Sequence, residues 1–577
     1  MKKLLALMLS LAMVAGISAC GNEAAPSEEA KPSEEASTEA PVEGEGEASA
    51  EGEKIIILHT NDVHGAIEHY AEVAGLKKQY EAEGAYVLLM DAGDFIQGDP
   101  TVNTNQGQVA IDLMKLCDYD AVALGNHEFD FGYENIKNLE KEIGDAFPLL
   151  GANVFYEGKA DFAERTMFES PKGTKIGVFG LDTPETSTKA HPGKIKGVTF
   201  VGQEDAKDMF ELAQAQIDAL KADGADLVVC LGHLGTDIES IGHRSIDVLE
   251  NTTGIDIMID GHSHSTLEEV KEATGGTGIV HDAYVTSTGT KLQSIGKITI
   301  VDGKVEEVTT IPTEGLVVEA NADVAAKAKE VRDAIDKEYG TVFAKTEIDL
   351  DGEKPHVRTG ETNMGNLITD AMLWGVKANE IEVDAVVTNG GGIRASIAKG
   401  DITKKDINTV LPFANELCIV KVTGAELLEA LETSTFVSPE AIGGFPHVAG
   451  IKFTLDTSKE YAGGENYPGS TYAKPTSIQR VTISEVAGEP FDPERVYSIA
   501  TNDFMADGGD TYYVFKAATS NINLGLPLDE IVMSYIVDEL GGTITAAQYG
   551  ALEGRITVVP DNVVELEGSK PAESKAA

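Results

Sequence analysis

Short continuous apolar runs, each stopping at a polar turn rich in glycine, aspartate, asparagine and histidine, recur five times in the first half of the chain. Ile55-Ile56-Ile57-Leu58 leads to Asn61-Asp62-Val63-His64-Gly65, and Tyr86-Val87-Leu88-Leu89-Met90 leads to Asp91-Ala92-Gly93-Asp94. Ala121-Val122-Ala123-Leu124 runs into Gly125-Asn126-His127-Glu128-Phe129-Asp130. Leu227-Val228-Val229-Cys230-Leu231 runs into Gly232-His233, and Ile255-Asp256-Ile257-Met258-Ile259-Asp260 into Gly261-His262-Ser263-His264. Unbroken apolar runs of this length read as strands covered on both faces. Stretches with helical patterning, such as Glu204 to Asp223, lie between some of them. Strands alternating with helices predict a layered α/β architecture around a mostly parallel sheet, in which polar residues collect beyond the carboxyl ends of the strands. All five turns are therefore expected on one edge.

The rest of the chain fixes the outline around that edge. Its 577 residues exceed one compact core, and at about 100 to 200 residues per domain they suggest two large domains. Residues 54–320 are expected to form the first, the charged helical stretch Ala325 to Tyr339 lies in a linker over 321–345, and 346–560 are expected to form a second α/β domain. Residues 1–19 read as an export signal: Lys2 and Lys3, an apolar run Leu4 to Ile17, then the small residues Ser18 and Ala19. Ile17-Ser18-Ala19-Cys20-Gly21 resembles a bacterial lipobox, which implies lipid on Cys20 and an anchor on the outer face of the cell membrane. Residues 20–53 read as a disordered acidic tether and 561–577 as a disordered tail, being too poor in apolar side chains to offset the entropy of ordering.

A formal charge of −51 excludes a nucleic-acid polymer as partner, because phosphate chains would be repelled at long range. A phosphorylated small molecule would need cations placed locally. Cys117, Cys230 and Cys418 are too few and scattered for a disulfide framework and read as small core residues. The side chains ending the five runs (Asp62, His64, Asp94, Asn126, His233, His262, His264) form a nitrogen and oxygen donor set. Such a set suits zinc, manganese, magnesium or cobalt, and its lack of thiols argues against a structural zinc or an iron-sulfur cluster. Adjacent glycines would allow close approach of the backbone or positive φ. His59, His69, His191, His243, His281, His356 and His447 lack that context and are left as structural or solvated.

Together these five motifs resemble the calcineurin-like metallophosphatase signature. The resemblance implies that Asp62, His64 and His264 hold one divalent ion, that Asn126, His233 and His262 hold a second, and that Asp94 bridges the pair. Two ions about 3.5 to 4 Å apart can clamp both the attacking and the leaving oxygens of an in-line phosphoryl displacement. By the family pattern His127 stays off the ions and stabilises the transition state or leaving oxygen; Asp130 either orients the His127 ring or serves only a buried hydrogen-bonding role.

Further on, Arg358-Thr359-Gly360-Glu361-Thr362-Asn363-Met364-Gly365-Asn366, Asn389-Gly390-Gly391-Gly392-Ile393-Arg394, Leu411-Pro412-Phe413-Ala414-Asn415 and Asn502 to Asp510 resemble the carboxyl-terminal domain of 5'-nucleotidases. That resemblance implies a base between Phe413 and Phe504, its polar edge at Asn389 and Asn415, ribose hydroxyls at Asp510, and phosphate at Arg358 and Arg394. Asn366 stands where some relatives carry an arginine, which leans towards monophosphates. The implied activity is hydrolysis of nucleoside 5'-monophosphates. Hydrolysis of 2',3'-cyclic nucleotides, 3'-nucleotides or UDP-sugars on the same fold, or non-catalytic nucleoside capture by a surface lipoprotein, are the competing readings.

Overall fold

The apolar runs are covered on both faces because alternate residues serve two different cores. In the computed structural model, which describes residues 52–560, Ile55 and Ile57 of the strand Lys54–Thr60 point into one core while Ile56 and Leu58 point into another. Leu88 and Met90 of the strand Tyr86–Asp91 divide from Val87 and Leu89 in the same way. Each such side chain removed from water contributes about 1.5 to 3 kcal/mol, so a polar substitution on either face is costly.

The five strands do not lie in one sheet, as the alternation alone suggests. They are shared between two six-stranded mixed sheets. The first runs in the order Lys304–Pro312, Ser294–Val301, Lys54–Thr60, Tyr86–Asp91, Ala121–Ala123, Leu149–Leu150. The second runs Ile279–Val280, Ala283–Thr286, Ile257–Asp260, Leu227–His233, Lys175–Asp182, Arg165–Glu169. Ile57, Leu88 and Ala123 of one sheet share a core with Val178, Val229 and Ile257 of the other. The parallel registers Ile55 to Tyr86 and Val229 to Ile257 bring the carboxyl ends of the five strands together despite that division. The helix Ala206–Ala222, capped by the Asp205 side chain, closes the outer face of the second sheet with Met209, Ile217 and Leu220.

The linker helix starts earlier than its charge pattern indicates, at Ala322, because the Asn321 side chain accepts from the N–H groups of Asp323 and Val324. It is not solvated throughout: Val324, Ala328 and Ile335 are buried. Beyond it a five-stranded sheet runs Pro446–Ala449, Ala385–Asn389, Val496–Asn502, Glu416–Thr423, Asn521–Pro527, with the helix Asn363–Ala378 on one face. Asn389 and Asn502 end two adjacent parallel strands of this sheet, and Phe413 and Asn415 precede a third. Cys117, Cys230 and Cys418 are buried, and none is in a disulfide among the described residues. Among the described residues no helix is long and apolar enough to cross a membrane; the export segment and Cys20 lie outside them.

Candidate active site

Seven side chains from the five strand ends converge in the first domain. Asp62, His64 and His264 form one group: the two imidazole Nε2 atoms stand 3.0 Å apart, and Asp62 Oδ1 lies 3.9 Å from the first and 3.5 Å from the second. Asn126, His233 and His262 form another, with Asn126 Oδ1 3.2 Å from His233 Nε2 and 2.8 Å from His262 Nδ1. Asp94 stands between the groups, its Oδ2 3.1 Å from His233 Nε2 and 3.7 Å from His64 Nε2.

The outer nitrogens of these rings show what the inner ones are free to do. His64 Nδ1 lies 3.1 Å from the Gln97 carbonyl oxygen and His233 Nδ1 lies 2.7 Å from that of Ala92, so in the donating tautomer each ring keeps an Nε2 lone pair facing the group. His262 is turned the other way. Its Nε2 faces Glu185 Oε2 at 3.2 Å and its Nδ1 faces inward. Burial holds His64 and His264 well below the usual imidazole range and lowers His262, which keeps these rings neutral. The neutral imidazoles of these three, with carboxylate and amide oxygens and no thiol, fit a borderline or hard divalent cation; against its burial, the facing Asp94 carboxylate raises His233 well above the usual imidazole range, so this ring gives up its Nε2 proton to a cation.

Five of the seven hold left-handed backbone: φ is 49° at Asp62, 47° at His64, 64° at Asp94, 75° at His262 and 59° at His264. Each such residue costs of order 1 kcal/mol or more, a strain tolerated where surrounding contacts enforce it. Gly125 is required for space, since a Cβ there would fall 2.5 Å from Asp94 Oδ1 and 2.8 Å from the His233 ring.

His127 stands beside the groups with Nδ1 2.6 Å from Asp130 Oδ2 and its backbone N–H donating to Asp94 Oδ1 at 2.9 Å. Its Nε2 faces Asp94 Oδ2 at 4.0 Å. The buried Glu128 carboxylate accepts from the N–H groups of Gly125 (2.7 Å), Asp94 (2.8 Å) and Phe95 (2.9 Å), tying two of the ligand-bearing turns to each other.

A cleft of about 880 Å³, including its open mouth, joins these residues to the second domain. Asp94, Asn126, His127, Asp130, His262 and His264 line it on one side; Asp62, His64 and His233 sit deeper. Arg358, Asn389, Arg394, Phe413, Asn415, Phe504 and Asp510 all line it from the other side. Phe413 stacks on His127 with ring centroids 5.6 Å apart and an interplanar angle of 23°, and the Arg394 guanidinium lies 5.6 Å from the Phe413 centroid. The Asn389 amide is engaged by its neighbours, donating to Asp510 Oδ2 at 2.8 Å and accepting from Asn502 Nδ2 at 3.0 Å, so it presents Asp510 to the cleft in addition to lining it. Burial, then the neighbouring Arg358, lowers Arg394 to about 10, which leaves it charged at neutral pH. Arg358 Nε is buried without a hydrogen-bond partner among the described residues.

Other placements differ from the sequence reading. Asn366 is buried outside the lining of the cleft, its amide donating to Glu361 at 2.8 Å. His191 lies in the lining, 3.5 Å from Asp503, where its isolated sequence context gave no sign of a site. Lys189, Glu239 and Lys354, also in the lining, carry no local motif either. Glu185 had a readable signal: Ile176 to Leu181 is a further largely apolar run, and Glu185 follows Leu181 by four residues, as Asp62 follows Leu58 and Asp94 follows Met90.

Comparison with known proteins agrees with this two-sided construction. Residues 55–266 match the calcineurin-like phosphoesterase family and residues 341–517 match the 5'-nucleotidase C-terminal domain. The trifunctional nucleotide phosphoesterase protein YfkN of Bacillus subtilis (strain 168) is 29% identical over 560 residues, covering 89% of this chain, while the chain spans only 36% of that relative. The 5'-nucleotidase of Homo sapiens is 28% identical over 554 residues, covering 87% of this chain and 90% of its own length. A solved 5'-nucleotidase precursor from Thermus thermophilus is 27% identical with a TM-score of 0.72, covering 88% of this chain and 100% of that one.

Proposed function

This chain belongs to the 5'-nucleotidase family, joining a metallophosphoesterase domain to a second domain of that family, and from that premise we propose that it hydrolyses nucleoside 5'-monophosphates to nucleoside and phosphate with two divalent ions. The carrying observation is that one cleft is lined by Asp94, Asn126, His262 and His264 on one side and by Arg358, Arg394, Phe413 and Phe504 on the other. Asp62, His64 and His264 would hold one ion, Asn126, His233 and His262 the other, and Asp94 both. When bound, the ions would polarise the phosphoryl group and supply a water acidic enough to attack near neutral pH.

The remaining steps belong to the chain's own side chains. Arg358 and Arg394 neutralise phosphoryl charge from the side opposite the carboxylates, and the buried Arg358 Nε supplies a donor with no competing hydrogen-bond partner among the described residues. In its doubly protonated form His127 gives Nδ1–H to Asp130 and offers Nε2–H to the departing 5'-oxygen; Asp130 fixes the ring for that transfer. Phe413 and Phe504 hold the base by its faces, a contact of about 1 to 3 kcal/mol per base that tolerates different bases. Asn415 meets the base edge and Asp510, held by Asn389, accepts from the ribose.

The test is phosphate release by metal-loaded protein from AMP, 3'-AMP and 2',3'-cyclic AMP, with UDP-glucose followed through its phosphorylated products, against an Asp94→Ala control. Preference for AMP that disappears in the control supports the reading; dominant turnover of another substrate refutes it. The sequence at Leu4 to Cys20 supports an extracytoplasmic placement with lipid on Cys20. Mass spectrometry of the exported protein checks this, an unmodified Cys20 being the contrary result.

A further inference from the structure

Where the two domains meet at the cleft, a lysine of the phosphoesterase domain faces the carboxylate assigned to the ribose. Lys189 ends the short helix Thr186–Lys189, its ammonium is paired with the half-buried Glu239, and Glu239 also faces the Tyr472 hydroxyl of the second domain at 3.5 Å. The preceding carbonyl, that of Thr188, accepts from the Asp510 backbone N–H at 2.8 Å, so the two segments are held in register. Asp510 Oδ2 is occupied by Asn389, which leaves Oδ1, and Oδ1 lies 4.0 Å from Lys189 Nζ.

That separation is too long for a direct hydrogen bond, and it suits one inserted oxygen. An oxygen placed about 2.8 Å from both atoms would subtend an angle of about 90°, acceptable for a hydroxyl that donates to one and accepts from the other. The floor beneath the pair is Gly443, where a Cβ would stand 3.4 Å from Lys189 Nζ and 3.6 Å from Asp510 Oδ1. All three residues line the cleft. An ammonium has three donors and Glu239 uses only part of that capacity.

Resting on the reading that a nucleotide occupies this cleft, we propose that Lys189 is a specificity-determining residue: it donates to a ribose hydroxyl that in turn donates to Asp510 Oδ1. The sugar is then read from both domains at once. Discrimination between ribo- and deoxyribonucleosides depends on the two being together, and a nucleoside lacking the shared hydroxyl leaves a buried ammonium and carboxylate facing each other across a gap.

The test measures calorimetric binding of adenosine, 2'-deoxyadenosine and 3'-deoxyadenosine to the full chain and to Lys189→Met. The wild type should bind adenosine about tenfold more tightly than the analogue lacking the shared hydroxyl, the ratio expected for a charge-assisted hydrogen bond. In Lys189→Met that ratio should fall severalfold by weakening adenosine more than the analogue, the remainder being the hydroxyl's own bond to Asp510. The double variant Lys189→Met with Glu239→Gln removes both charges of the pair and should give the same loss of selectivity if the single variant folds poorly. Equal weakening of all three ligands, or an unchanged ratio in both variants, overturns the proposal. Turnover of para-nitrophenyl phosphate, which has no ribose, is read on the same wild-type preparation. Failure of the hydrolase reading would appear there, while the ribose comparison stands independently.

Discussion

Glu128 offers the sharpest test of how the donor set is assembled. Its Oε2 accepts from the N–H groups of Gly125 and Asp94, and its Oε1 from that of Phe95. Glu128→Gln preserves the volume but turns an amino group towards backbone donors wherever it is placed. The less costly orientation turns that amino group to the Oε1 side, where the Phe95 bond and the longer one from Ile96 at 3.4 Å are lost, so local opening of these turns becomes easier by about 1 to 3 kcal/mol. The lower figure already corresponds to about fivefold. Hydrogen exchange read by mass spectrometry on peptides spanning residues 91–96 and 124–130 should accelerate by at least that factor, while peptides from the second domain stay unchanged. Titration with Mn²⁺ should show affinity lower by about 10- to 100-fold, as expected when a residue supporting metal ligands is lost. Unchanged exchange in both peptides, together with Mn²⁺ affinity within twofold of wild type, would refute the reasoning.

Further expectations follow from the same geometry. Asp130→Ala frees the His127 ring and should lower kcat for AMP by about 10- to 100-fold with little change in KM, part of the 10² to 10⁴ that positioned acid–base groups supply; a change confined to KM would count against the orienting role. Phe413→Ala should raise KM for AMP by about 5- to 150-fold, equivalent to 1 to 3 kcal/mol of stacking, while hydrolysis of para-nitrophenyl phosphate persists. Buried His447, bonded through Nε2 to the Val357 carbonyl at 2.8 Å, is lowered by burial to about 4, against about 6.5 when unfolded. The unfolded state binds the proton first, so this contribution is intact above pH 6.5 and lost as pH falls towards 4, amounting to about 2 kcal/mol at pH 5. Urea unfolding at pH 7 and pH 5 should show that loss, and His447→Asn should lack this component.

The edge that carries the donors was legible because each donor follows a strand whose burial leaves a plain mark in the sequence. Ile55 to Leu58 and Leu227 to Leu231 could be placed from composition, and Asp62 and His233 followed from them. That the strands belong to two facing sheets was not legible: a run packed between a helix and a second sheet has the same composition as one packed between two helices, as Ile56 and Ile57 illustrate. Lys189, Glu239 and Lys354 were missed for another reason. Each gains its role from a contact between distant segments, such as Lys354 Nζ donating to the Ser263 carbonyl at 2.7 Å, and no local pattern records such a meeting. Asn389 was read as facing the base, but its hydrogen bonds to Asp510 and Asn502 depend on the order of strands in the second sheet.

The division of the donors between two sheets has a mechanical consequence. Asp62, His64, Asp94 and Asn126 come from one sheet and His233, His262 and His264 from the other, and the sheets otherwise meet through side chains such as Ile57 and Val229. Dispersion contacts resist separation but only weakly resist sliding, whereas an ion gripped from both sides resists both. Bound ions would therefore rivet the sandwich at one end, and their loss would be felt as shear along its length, well away from the cleft where they sit.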